Sequence, residues 1–164
     1  MTGSGIPPGR RADLAGTIHT STSGERYISA DLALQGGFGT LRPLLLANRY
    51  LGGADWFYNP SSGAGQRGVL GGFGLNNIGM LVVVCGRVTA VGADYLYLDD
   101  GSGLPDGTET GSEANVGVRV YCSPIGYAVG DYLSATGISS CFDTPGGSRA
   151  RCVRTRGTSD LVKY

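Results

Sequence analysis

The chain has 164 residues, enough for one ordinary domain or a small domain with a substantial appendage. Apolar residues make up 41%, which excludes wholesale disorder, and 30 glycines without a collagen-like period exclude long helices in favour of short strands and tight turns. Thirteen basic residues, all arginine except Lys163, balance thirteen acidic ones, so the charge excess of a dedicated nucleic-acid binder is missing.

The opening MTGSGIPPGRR lacks the apolar stretch of a secretory leader. Residues 9–35 read as a β-hairpin that echoes a later part of the chain. Gly9 and Gly16 answer in spacing to Gly130 and Gly137, Ile6-Pro7-Pro8 to Tyr127-Ala128-Val129, and Glu25–Ile28 to Ala150–Val153. Residues 36–77 hold GGFG twice, with apolar clusters at Leu44–Ala47 and Trp56-Phe57-Tyr58. This stretch is too apolar for a free linker and shows little regular periodicity. It is expected to be an extended arm lying on a barrel or on a neighbouring copy, with Leu44, Leu45, Trp56, Phe57 and Tyr58 as assembly contacts.

Ile78–Val91 is β-branched and apolar, with Gly86 placed where a strand could bend. A turn at Gly92-Ala93-Asp94 leads to YLYLDD, where Tyr95 and Tyr97 share one strand face and Leu96 and Leu98 the other. Gly101–Asn115 reads as a polar, acidic loop. VGVRVYC (116–122) alternates again, residues 123–130 are a connection too short for a regular helix, and 131–142 and 149–156 are two further strands before a tail.

Five strands in residues 78–156, the first long and glycine-bent, resemble the OB-fold, a five-stranded Greek-key barrel. GRVTAVGADYLYLDDGSG, VGVRVYC and GDYLSATGISS carry the resemblance. It is to the tandem OB-like modules of large secreted bacterial proteins of unknown function. The expected fold is therefore all-β, with a partial OB-like unit at 1–35, an arm at 36–77 and an OB-like barrel with its tail at 78–164. The hairpin then stands for the last two strands of a second OB unit.

Chemistry is sparse. Adjacent strand residues point to opposite faces, so Asp99 and Asp100 cannot serve one substrate as an acid–base pair. Their expected role is to shape the turn through backbone N–H groups. Asp99, Asp100 and Asp106 are also a calcium candidate, but their spacing does not match an EF-hand loop, and no metal or other cofactor is expected. No nucleophile elbow or phosphate loop is present, and His19 stands alone in a Thr/Ser-rich turn, so no enzymatic activity is expected. Asn59-Pro60-Ser61 is disqualified as a glycosylation site by its proline.

Cys85, Cys122, Cys141 and Cys152 show no CxxC spacing and lie far from the only histidine, which excludes a zinc site. Their even number points to up to two disulfides and an oxidising, extracellular setting, the alternative being four buried reduced thiols that act as small core residues. The OB arrangement implies the pairs Cys122–Cys141 and Cys85–Cys152. A half barrel exposes unpaired edges and an open apolar face, so a neighbouring copy is expected to complete it. The leading expectation is an extracellular structural protein that joins head to tail into a fibre, with copies of itself as partners. The longest apolar run, MLVVVC, is far too short to span a bilayer, and no membrane partner is expected. The alternative is a module binding single-stranded nucleic acid or carbohydrate through Arg87, Tyr95, Tyr97, Arg119 and Tyr121.

Overall fold

The computed structural model describes residues 6–7, 9–22 and 24–164, and readings that fall on residues 1–5, Pro8 and Ser23 lie outside the described residues. The chain is all-β, and its largest sheet is a mixed one of seven strands. Two strands near the start, β1 (Arg10–Thr20) and β2 (Arg26–Phe38), pair only with each other as a long antiparallel ribbon. Next comes β3 (Leu44–Leu45), then a 3₁₀ turn at Asn48–Tyr50, and a small hairpin of β4 (Trp56–Asn59) and β5 (Ala64–Gln66).

The main sheet is built from β6 (Leu81–Val91), β7 (Tyr95–Asp99), β10 (Val118–Tyr121), β11 (Tyr132–Asp143), β12 (Arg149–Arg154) and β13 (Leu161–Lys163), joined by β3. Strands β8 (Pro105–Thr110) and β9 (Glu113–Val116) form a separate hairpin. Antiparallel pairing of β11 with β6 closes a ring in the order β6, β7, β10, β12, β11. Within this ring only β10 and β12 run parallel.

Alternation in the sequence decides what faces the inside of the ring. Val82, Val84 and Val88 of β6, Leu96 and Leu98 of β7, Val118 and Val120 of β10, Leu133 and Ala135 of β11 and Val153 of β12 form one buried cluster. Each such side chain contributes about 1.5–3 kcal/mol when removed from water. Gly86 lies where β6 passes from β11 to β7: Gly86 is still paired with Leu133, while Arg87 already faces Asp99. A Cβ there would meet the Asp99 carbonyl oxygen at 2.5 Å, so only glycine lets the two strands approach this closely.

Residues 39–80 pack against the ring's own flank. β3 runs parallel to β6, and Leu51 enters the ring's core. Arg151, buried on β12, donates to the carbonyl oxygens of Asn48 (2.9 Å) and Leu70 (2.7 Å) and so holds this segment at two points. The expected extended arm is thus partly a strap. Leu44 and Leu45 sit in the main sheet, whereas Trp56, Phe57 and Tyr58 belong to the β4–β5 hairpin.

The stretch expected to be an acidic loop holds the β8–β9 hairpin instead. Its inward residues, Asp106, Thr108 and Asn115, are polar, so the usual apolar alternation of a half-buried strand is missing there. The supposed tail contains β13, an edge strand on β11.

The expected disulfides do not form: none of Cys85, Cys122, Cys141 and Cys152 is joined to another in a disulfide. Cys141 faces Arg151 in the β11–β12 ladder and Cys152 faces Ser140, so these two cysteines point to opposite faces. Cys85 has Ser134 as its neighbour across the ladder, and neither Cys122–Cys141 nor Cys85–Cys152 is made.

Candidate functional site

The outer face of β7 and β10 gathers most of the expected ligand-binding residues, but the β8–β9 hairpin roofs it. Tyr97 is 0% exposed. Its hydroxyl donates to Asp106 Oδ2 at 2.6 Å, lies 2.8 Å from Thr108 Oγ1, and accepts from Arg119 Nε at 2.8 Å. Burial first, and then the Asp106 carboxylate, push the Tyr97 phenol far above its ordinary pKa, which keeps it a neutral donor. Asn115 closes the network with a 2.9 Å bond to Thr108.

The Arg119 guanidinium lies 4.3 Å from the ring centre of Tyr95 and 4.2 Å from that of Phe142, with Tyr97 and Tyr121 also within 6 Å. Arg154 lies 4.7 Å from the Tyr121 ring centre and bonds Ser140. The structure therefore brings Tyr95, Tyr97, Arg119 and Tyr121 together, but as an internally bonded block that locks the hairpin down. Arg87 stands apart, paired in the ladders with Asp99 and Tyr132. An open aromatic platform for bases or sugars is not what this face offers.

The carboxylates serve turns. Asp100 accepts from the backbone N–H of Asn48 (2.8 Å) and from the N–H and hydroxyl of Ser102, while Asp99 accepts from the N–H of Gly103 at 2.9 Å. Burial alone would raise the Asp100 carboxyl, but these donors outweigh it and hold it below the usual carboxylate range. Asp106 is committed to Tyr97 and Thr108. Asp99, Asp100 and Asp106 thus serve different partners, and no cluster of metal-binding side chains occurs among the described residues. Burial pushes the thiols of Cys122 and Cys152 up to about 11 and that of Cys141 up to about 12, which leaves them protonated and poor nucleophiles near neutral pH.

Two surfaces remain that the chain itself leaves unpartnered. The first is the β1–β2 ribbon. Its turn is docked: Glu25 accepts from the Ser140 hydroxyl and from the backbone N–H of Cys141, Arg26 N–H donates to Gln66 at 3.0 Å, and Gln66 returns a bond to the Gly24 carbonyl. Beyond that turn nearly every residue is exposed, including Leu14, Ile18, Tyr27, Ile28, Leu32, Leu34 and Phe38. Register places Leu14, Gly16 and Ile18 opposite Ala33, Ala30 and Ile28, so one face of the ribbon is apolar along this whole length. A Cβ on Gly16 would sit 2.1 Å from the Ser29 carbonyl, at the bulge that leaves Asp31 unmatched.

The second surface is a cleft of about 650 Å³ between the strap and the small hairpin. Leu44, Trp56, Phe73, Leu75 and Met80 provide much of its apolar lining, with Asn76 and Asn77 as polar contributors. On its rim Trp56 meets Phe57 edge to face at 5.0 Å. Phe57 is 84% exposed and adopts φ +48°, left-handed backbone that costs a bulky residue about 1–3 kcal/mol. It is the one non-glycine residue in this region of backbone space among the described residues. Hydrophobicity marked Trp56 as an anchor, but Phe73, Leu75 and Met80 carried no signal, because nothing in the sequence ties them to Trp56.

No protein-family model matches the chain, and neither does a curated protein or a solved structure. No helix among the described residues is long and apolar enough to cross a membrane.

Proposed function

We propose that the chain is a non-enzymatic structural subunit that joins head to tail with copies of itself into an extracellular fibre. The observation that carries this reading is the ribbon: 24 strand residues, eleven in β1 and thirteen in β2, paired only with each other and apolar over much of their exposed surface. A lone two-stranded hairpin is marginal in water, and an apolar area of this kind on a soluble chain marks a contact surface. Partner copies supply the missing cover most simply, because each copy brings one ribbon and one ring. The extracellular setting is part of the same reading and draws no support from the cysteines.

The ring fits the OB-like part of the proposal. Its third and fifth strands, β10 and β12, run parallel, and its first and fourth, β6 and β11, close it, which supports reading it as an OB-like Greek-key barrel. The roofed face over Tyr97 and Arg119 favours assembly over ligand binding.

The test is light scattering behind size exclusion across a hundredfold concentration range, with negative-stain imaging of the leading fraction. Mass rising with concentration and filaments on the grid are expected, and Ile18→Asp together with Ile28→Asp should return the chain to monomer with unchanged circular dichroism. A wild-type chain that stays monomeric throughout would sink the proposal.

A further inference from the structure

The ribbon needs an acceptor, and resting on the self-assembly reading, we infer that it is the Leu44–Trp56–Phe73–Leu75–Met80 cleft of a second copy. Four observations converge on that occupant. The cleft is apolar and sits on the same chain as an apolar ribbon, yet of the ribbon only Arg26, at its docked end, lines it. Since the chain's own ribbon leaves the cleft open, a ribbon that fills it comes from another copy.

Size fits as well. About 650 Å³ has room for a few branched side chains and not for a two-stranded ribbon. The facing pair Ile18 and Ile28, with Leu14 further along the same face opposite Ala33 and only Gly16 and Ala30 between, makes a knob of that scale.

Charge is complementary. Asp31, at the ribbon's bulge, forms no ion pair among the described residues, and neither do Arg42 and Arg49, which are exposed and adjoin the strap's lining residues Leu44 and Tyr50. Opposed rims of this kind steer docking and fix register, while the apolar centre holds the joint. Finally, the exposed Phe57 beside Trp56 holds an aromatic pair at the cleft's mouth, and its left-handed backbone falls at the irregular register between Trp56 and Asn59 in the β4–β5 hairpin.

Such a joint is heterologous, ribbon to cleft, so each copy keeps a free ribbon at one end and a free cleft at the other. Trp56 is the only tryptophan and is 51% exposed in the single chain, which makes its emission a direct report on the cleft. With the full, unmodified chain, mass should rise with concentration while Trp56 emission shifts to the blue. Rising mass with unchanged emission overturns the cleft and leaves the fibre reading standing, whereas no rise in mass removes the fibre reading itself.

Complementation gives an independent arm. Leu75→Lys changes a side chain that is 76% exposed, so folding should be undisturbed, and it should raise the concentration of half-assembly by roughly tenfold or more. Leu75→Lys and Ile18→Asp/Ile28→Asp chains, each monomeric alone, should form a one-to-one dimer when mixed and go no further. Absence of that dimer under conditions where wild type assembles overturns the proposal, as does saturation of the cleft by 1-anilinonaphthalene-8-sulfonate with assembly untouched.

Discussion

Tyr97 shows how one hydroxyl can hold an element in place. It is fully buried, donates to Asp106 and accepts from Arg119, so removing it leaves a carboxylate and a guanidinium short of a partner away from water. Tyr97→Phe keeps the ring and should still cost about 1–3 kcal/mol, read as a lower urea midpoint at unchanged slope. Tyr95→Phe should cost less, because its hydroxyl meets only Thr110 in a half-buried setting. Equal effects would mean that the network carries no special weight. The sequence placed Tyr95 and Tyr97 on the face opposite Leu96 and Leu98, and that alternation is what the ring uses. It could not show that the tyrosine face is roofed, because the roof is made of Asp106, Thr108 and Asn115, residues whose pattern reads as loop until their partners are known. The cysteines misled for a related reason: even number suggests pairing, but in the ladders Cys85 stands opposite Ser134, Cys141 opposite Arg151 and Cys152 opposite Ser140, so none of these three meets another thiol across its strand pair.

At the scale of elements, the strands of the ring were legible because each obeys a period of two, and Gly86 marked the point where β6 changes partners. The strap was not. Beyond the two-residue β3 and Leu51, its attachments are single bonds between distant residues, such as Asn48 N–H to Asp100 and Arg151 to two carbonyls, and such bonds leave no periodic trace. The Asp100 bond makes the strap's hold sensitive to acid. Its carboxyl has a folded-state pKa below the unfolded one, so the stabilisation is fully present above the unfolded value, near 4, and is lost as pH falls through the lower folded value. Asp100→Asn removes that proton dependence. Urea midpoints measured from pH 7 down to pH 2 should therefore fall less steeply for the variant than for wild type, with the variant less stable at pH 7. Parallel curves would show that Asp100 is not a linkage site. Since Asp131 and Asp160 are also held low, by Lys163 and Arg156, the acid limb remains in both proteins and only the difference belongs to Asp100.

For the whole molecule, the balance of forces at the proposed joint sets how assembly should respond to its surroundings. The chain has zero net charge, so copies do not repel one another at long range, and the opposed surfaces are mainly apolar with charges at their rims. Apolar contacts weaken on cooling and strengthen with excluded salts such as sulfate, whereas ion pairs between exposed groups are screened by any salt within about 10 Å at 0.1 M. Assembly should therefore increase on warming from 5 to 25 °C and on addition of sodium sulfate, and sodium chloride should slow its onset with little effect on its extent. Chloride that dissolves assembled material would show that the rim charges hold the joint and the ribbon's apolar face does not. The size distribution follows from the same geometry. A joint between two different surfaces closes only if its rotation returns to the start, so the mass distribution should broaden steadily with concentration. A sharp stop at two copies would mean that ribbon meets ribbon across a two-fold axis and that the cleft stays empty.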